Sequence, residues 1–188
     1  MCPGRASQRF VSRGGEKLDA ALDAFGVEVS GLVCADFGCN VGGFTDCLLA
    51  RGARKVCAVD TGYGALAWKL RKDPRVTVLE RTNALRLQPP EPVDLVVIDV
   101  AWTPQSRIVP AAAGWLAPGG RIVSLLKCHY ELAQATGRRP HTRLDDAKAR
   151  QVCLDVCRRL AEDRWPVRAV TTSVLRGKGG NLEFLLLI

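Results

Sequence analysis

No Cys-x-x-C pair occurs anywhere in this chain, although it holds 8 cysteines, and only His129 and His141 could join them as metal ligands. Tetrahedral zinc sites are built from closely spaced thiols and imidazoles, so no metal is expected. Long apolar runs are missing too, and those present are too short to cross a bilayer. The opening stretch, Met1–Arg13, is polar, carries Arg5, Arg9 and Arg13, and lacks the apolar centre of a secretory signal. A cytoplasmic location away from membranes is the expectation. Internal repeats and low-complexity tracts are also absent. Pro89-Pro90-Glu91-Pro92 resembles a stiff connector but is too short to divide domains. With 188 residues the chain reads as a single domain, 1–188, opened by a basic segment, 1–14.

Positive charge is what the chain has in excess. A formal net charge of +8 and a pI near 9.3 favour an anionic partner. Cys34 and Cys57 fall within apolar strand patterns, and Cys153 and Cys157 share one helical face. That is the placement of small hydrophobes in a reducing compartment.

The densest information lies in Ala35-Asp36-Phe37-Gly38-Cys39-Asn40-Val41-Gly42-Gly43-Phe44-Thr45-Asp46. It follows a short apolar run and precedes a helical pattern. A strand running through a glycine-rich turn into a helix leaves free backbone N–H groups and room for a ligand against the main chain. A dinucleotide fingerprint, Gly-x-Gly-x-x-Gly, needs its second glycine so that a pyrophosphate can approach. Asn40 stands at that position here, and Asp36 lies two residues before the first glycine. A carboxylate and an amide suit a ligand with an ammonium group, a sulfonium and a ribose, which describes S-adenosylmethionine. Asp36, Gly38, Asn40, Gly42, Gly43 and Phe44 form the expected cradle.

From Gly31 onward strand and helix patterns alternate. Buried parallel strands are expected at Leu32–Phe37, Lys55–Val59, Val76–Leu79, Leu95–Val100 and Ile122–Leu126. Helices are expected at Gly15–Phe25, Phe44–Arg51, Leu66–Arg71, Ser106–Leu116 and Leu144–Glu162, with Pro118-Gly119-Gly120 breaking the fourth. Val167–Ser173 and Leu182–Ile188 follow with no helix between them, so they pair antiparallel. The fold class is α/β: a doubly wound, mostly parallel, seven-stranded sheet with a C-terminal antiparallel strand.

Such sheets bind ligands at the carboxyl ends of their strands. Asp36, Asp60, Asn83, Asp99 and Lys127 all fall at or just past those ends. Asp60 can accept hydrogen bonds from ribose hydroxyls or cap a helix. Asn83 can read an adenine edge or stabilise a turn. Asp99 and Lys127 end adjacent strands, where a charge is costly to bury alone, so they can pair. Glu183 is an acid in an otherwise apolar terminal strand. Lys17 cannot be singled out by pattern, because helices expose lysines routinely.

Several blocks together resemble the TlyA branch of the FtsJ-like RNA 2′-O-methyltransferases. They are Val11-Ser12-Arg13-Gly14-Gly15-Glu16-Lys17-Leu18, the Gly38 turn, Asp60-Thr61-Gly62-Tyr63-Gly64, Arg81-Thr82-Asn83-Ala84, Val97-Ile98-Asp99, the Lys127 turn and Gly177-Lys178-Gly179-Gly180-Asn181-Leu182-Glu183. They keep the family's order from Val11 to Ile188. The resemblance implies a Rossmann-like methyltransferase fold and a catalytic Lys-Asp-Lys-Glu tetrad, which falls on Lys17, Asp99, Lys127 and Glu183. Asp60, Asn83 and Asp99 join the cradle residues as cofactor contacts. The chain reads Lys127-Cys128-His129-Tyr130-Glu131 where the family commonly has Lys-Pro-Gln-Phe-Glu. After the aspartate it has Ala101-Trp102 where the family often has Ser-Phe. TlyA-type proteins usually carry an N-terminal S4-like RNA-binding module, which nothing ahead of Ser12 could form. A separate RNA-binding partner in its place is therefore an expectation.

The implied partner is RNA, as ribosomal RNA or a ribosomal subunit. Candidate phosphate contacts are Arg5, Arg9 and Arg13, then Arg138, Arg139 and Arg143 in the loop after Lys127, and Arg176 and Lys178 beside Glu183. Trp102, Tyr130 and His129 can stack on an extruded base, although Trp102 equally suits a core. Two other readings stay open: a non-catalytic RNA-binding or ribosome-assembly factor that keeps the cofactor fold, and a nicotinamide oxidoreductase, which Asn40 disfavours. The family is also associated with the name haemolysin, for which the chain offers no membrane-spanning or secretion signal.

Overall fold

The computed structural model describes residues 9–137, 143–177 and 179–188, so Arg5, Arg138, Arg139 and Lys178 lie outside the described residues. Short apolar runs form parallel strands β1 (Val33–Phe37), β2 (Lys55–Val59), β3 (Val76–Leu79), β4 (Val93–Ile98) and β5 (Leu116–Leu126). β6 (Ala169–Thr172) and β7 (Phe184–Leu187) complete a seven-stranded sheet of order β3-β2-β1-β4-β5-β7-β6. β7 is antiparallel to both β5 and β6, which matches the expected fold class.

Side chains alternate across each strand, so the sheet carries two cores. Cys34, Leu95 and Val97 face one side, where they meet Leu18 and Leu22 of α1 (Arg13–Phe25) and Cys47 and Leu48 of α2 (Gly43–Ala50). Ala35, Phe37, Val96 and Ile98 face the other. That core takes in Ile108 and Val109 of α4 (Gln105–Ala113) and Val152 and Val156 of α6 (Asp146–Glu162). A one-residue slip of β1 would exchange the two faces, which pins its register against β4.

Most boundaries shift by a few residues from the sequence expectation, and three differences bear on the site. α1 begins at Arg13, inside the basic segment, because Ser12 is extended and its Oγ accepts from the Gly14 N–H at 3.3 Å. α4 ends at Ala113, and Pro118-Gly119-Gly120 falls within β5 rather than breaking that helix. β4 advances two residues, Val93 to Leu95, while β5 advances from Leu116 to Arg121, so the proline–glycine segment bulges out of the ladder. The stretch after Lys127, expected as a loop, is helix α5 (Cys128–Thr136), closed by Gly137 in the left-handed conformation. The remaining helix, α3 (Trp68–Arg71), is a single turn. Strand order reverses between β1 and β4, and the loops leaving these two strands flank the site.

Candidate active site

A cleft of about 1100 Å³ opens at this switch point. Small-molecule sites usually span about 300–1000 Å³, so there is room for a cofactor and part of a second reactant. Gly38 leaves β1 with φ 83°, and its N–H bonds the Val59 carbonyl at 2.8 Å. A Cβ there would lie 2.7 Å from the Asp99 carbonyl oxygen, so glycine is what lets the β1 and β4 loops close on each other. Asn40, also left-handed at φ 46°, donates its backbone N–H to Asp60 Oδ2 at 2.8 Å, and Asp60 Oδ1 accepts from the Gly62 N–H at 2.7 Å. One carboxylate thus ties the glycine turn to the loop after β2. Gly38, Asn40, Gly43, Phe44, Asp60, Asn83 and Asp99 all line the cleft.

Two cradle residues do not. Gly42 backs onto Leu66 and Leu70. Asp36 is wholly buried beneath the turn, where its Oδ2 accepts from Thr45 N at 2.9 Å and Thr45 Oγ1 at 2.6 Å. Its visible work is to anchor the start of α2. Its Oδ1 has no partner, and burial pushes the carboxyl up to about 7, the Thr45 hydrogen bond opposing and the Asp99 and Asp60 charges adding to the rise. Asn83 also acts as a turn residue, since its Oδ1 accepts from the Leu85 N–H at 3.0 Å.

Above the turn the four matched residues line one cleft as two ion pairs. Lys17, on the inner face of α1, meets Glu183 just ahead of β7 at 2.5 Å, with both side chains buried. Lys127, at the N-cap of α5, lies 2.5 Å from Asp99 just after β4. That second contact is ionic in distance but not aligned as a hydrogen bond, leaving Asp99 Oδ1 without a directed donor. Gly177 packs directly on the Glu183 carboxylate, and a Cβ there would collide with it.

Aromatic rings close the α5 side. Tyr130 packs on Trp102 at 4.9 Å and on His129 at 4.1 Å between centroids, and Trp102 is 55% exposed, which places it at the rim and not in the core. Burial lowers the His129 pKa, with Lys127 adding to the effect. Gln134 Nε2 donates to the Trp102 carbonyl at 3.0 Å, and Glu131 Oε1 accepts from the Gln105 N–H at 2.7 Å. Both bonds fasten the loop after β4 to α5.

Of the expected phosphate-binding arginines, Arg9 is ion-paired with Asp19, and Arg176 forks onto Asp146 at 2.7 and 2.8 Å. Arg13 donates to the Arg176 carbonyl at 3.2 Å. Arg143 lies over Gly180. Ser12, missed by the sequence reading as a site residue, lines the cleft and caps α1. A serine just before an amphipathic run is the signal that finds it.

An FtsJ-like methyltransferase family model matches residues 10–188. The chain is 43% identical over 185 residues to the 16S/23S rRNA (cytidine-2′-O)-methyltransferase TlyA of Mycobacterium tuberculosis, covering 96% of this chain and 69% of that protein. Two solved structures named for hemolysin, from Streptococcus thermophilus and Lactococcus lactis, each share 33% identity, with TM-scores of 0.86 and 0.87. They cover 98% and 96% of this chain, and 68% and 88% of their own. No helix among the described residues is long and apolar enough to cross a membrane. With a glycine turn, a β2-end acid and strand-end charges around one cleft, the chain belongs to the FtsJ-like family of S-adenosylmethionine-dependent methyltransferases.

Proposed function

We propose that this protein transfers a methyl group from S-adenosylmethionine to a ribose 2′-hydroxyl of ribosomal RNA, through Lys17, Asp99, Lys127 and Glu183. The observation that carries the reading is the convergence of two lysine–carboxylate pairs, from four separate segments, on one cleft beside the glycine turn. The substrate class rests on the activity named for the M. tuberculosis relative.

The residues present fit the donor. Asp60 keeps free lone pairs for ribose hydroxyls after serving two backbone N–H groups, and Val59, Leu85 and Ile108 offer apolar wall to a purine. When bound, the donor supplies an electrophilic methyl on a sulfonium. As the acceptor oxygen forms its bond to the methyl carbon, the carbon–sulfur bond would break with its electron pair left on sulfur, and the hydroxyl proton would pass to solvent. Lys127 donates a hydrogen bond to that oxygen and stabilises its developing charge, while Asp99 fixes the ammonium's position. Lys17 and Glu183 hold the α1 edge of the cleft in a matched charge pair. His129, kept neutral by its burial, leaves the local charge to the two lysines.

The test is transfer of labelled methyl to ribosomal RNA, with the product scored by alkali-resistant dinucleotides, which only 2′-O-methylation produces. Lys127→Ala is expected to lose roughly 10²–10³-fold in turnover while binding S-adenosylmethionine normally. Near-normal turnover by that variant would sink the assignment of Lys127. RNA binding without transfer by the unaltered protein would leave the assembly-factor reading instead.

A further inference from the structure

Away from the two ion pairs, the connection running from β2 through α3 to β3 and just beyond carries five basic residues. Three are neutralised locally: Lys69 by Asp46, Arg71 by Glu80 and Arg75 by Asp73. The other two, Lys72 and Arg81, have no carboxylate partner among the described residues. Each lies over an aromatic ring instead. Arg81 stacks on Tyr63 at 4.2 Å and Lys72 sits 4.8 Å from the Trp68 ring. Tyr63 and Trp68 are 71% and 68% exposed, the most exposed aromatic rings among the described residues.

Two large exposed rings on one connection, each topped by a cation, form a surface suited to stacking. The main chain that carries the rings is also pinned. Arg81 takes a left-handed backbone, φ 53°, which is uncommon for a side-chain-bearing residue, and its N–H bonds the Gly62 carbonyl at 3.0 Å. The Gly64 N–H donates to Glu80 at 3.0 Å, and the Ala67 N–H donates to the Val41 carbonyl of the glycine turn at 3.0 Å. An exposed ring that carries a cation with no carboxylate partner matches one nucleotide of single-stranded nucleic acid, whose base stacks on the open side of the ring while its phosphate meets the cation. Thr61, Gly62, Ala65 and Thr82, from the same connection, line the cleft wall. This face is therefore continuous with the site.

We infer that Tyr63 with Arg81, and Trp68 with Lys72, form two stacking platforms that hold unpaired RNA bases outside the cleft, flanking the nucleotide being modified. The inference rests on the proposed RNA substrate and names where that RNA lies. It also supplies free cations where Arg9 and Arg176 are already committed to carboxylates.

Ultraviolet cross-linking of the protein to ribosomal RNA stripped of protein, followed by peptide mass spectrometry, tests it directly. Nucleotide adducts are expected on the peptides holding Tyr63 and Trp68. Tyr63→Ala and Trp68→Ala should each weaken RNA binding by roughly fivefold to 150-fold, the range for one lost base stack, with unchanged S-adenosylmethionine affinity and unchanged melting. KM for RNA should rise while kcat at saturating RNA holds. Lys72→Gln and Arg81→Gln should each lower the salt slope of binding by about one. Wild-type affinity in both aromatic variants, or adducts confined to Trp102 and Tyr130, would overturn the inference. So would weaker binding to intact ribosomal subunits with no change on bare RNA, which would give the face to a ribosomal protein. If the unaltered protein transfers no methyl to RNA, the proposed function fails, and the adduct map still decides whether this face binds RNA.

Discussion

Lys17 and Glu183 stand 166 residues apart in sequence and meet at 2.5 Å, both buried, where the first helix passes the entrance to the last strand. A buried pair of this kind gains little over apolar packing, yet breaking it leaves an uncompensated charge out of water. Its cost and its use can therefore be separated by mutation.

Lys17→Ala and Glu183→Ala are each expected to destabilise the fold by about 3–5 kcal/mol. Replacing both with apolar residues, Lys17→Met with Glu183→Leu, should restore most of that stability without restoring methyl transfer. Denaturant melts and a transfer assay on the three variants check this. A double variant that regains both stability and activity would reduce the pair to scaffolding.

The second pair should behave differently. Lys127 and Asp99 are 17% and 28% exposed, against 9% and 3% for Lys17 and Glu183, so water reaches the second pair more readily when a partner is removed. Asp99→Asn is expected to cost less stability than Lys17→Ala and to lower turnover by about 10²-fold or more, because Lys127 loses the group that positions it. A stability loss as large as that of Lys17→Ala would contradict the contrast between the pairs.

The strand ends are the legible part of this site. β2 and β4 run directly into Asp60 and Asp99, which mark both the strand and its terminus because a charge is costly to bury in the core, whereas Asp36 lies inside β1 and is wholly buried. Lys17 is not legible in that way. Its helical spacing is that of any surface lysine, and its burial depends on a carboxylate from the far end of the chain. α5 is hidden for a related reason: it starts directly on Lys127, is short, and buries only Cys128 outright, so it has no apolar stripe to read. Arg9 and Arg176 each have a carboxylate partner that the sequence does not reveal. Nothing in the spacing of Arg9 or Arg176 announces that Asp19 and Asp146 will neutralise them.

Gly38 should tolerate no side chain. Alanine at φ 83° is strained in itself, and its Cβ would press on a backbone oxygen that cannot swing aside. Gly38→Ala is expected to destabilise by more than about 1 kcal/mol and to weaken S-adenosylmethionine binding by forcing the β1 and β4 loops apart. Calorimetric titration of the variant measures the second effect. Unchanged cofactor affinity would mean that the closeness of these loops does not shape the cofactor site.

Asp36 sets the last expectation, on pH. Its carboxyl titrates near 7 in the folded protein, against 3.8 without the fold, because it is buried with Oδ1 unpartnered and with Asp99 and Asp60 nearby. The folded state therefore holds this proton over a range in which the unfolded chain has released it. The stabilising contribution is fully present below about pH 3.8, is lost as pH rises through about 7, and is flat above that. The full difference is on the order of 4 kcal/mol. Asp36→Asn keeps an oxygen for the Thr45 N–H and hydroxyl and carries no charge at any pH. It should flatten the decline in stability between pH 4 and 7 and make the variant more stable than the natural protein at pH 8. Melts across that range on both proteins measure the effect. Parallel pH curves would show that Asp36 is already ionised in the folded protein, with water or another group reaching the oxygen that stands unpartnered here.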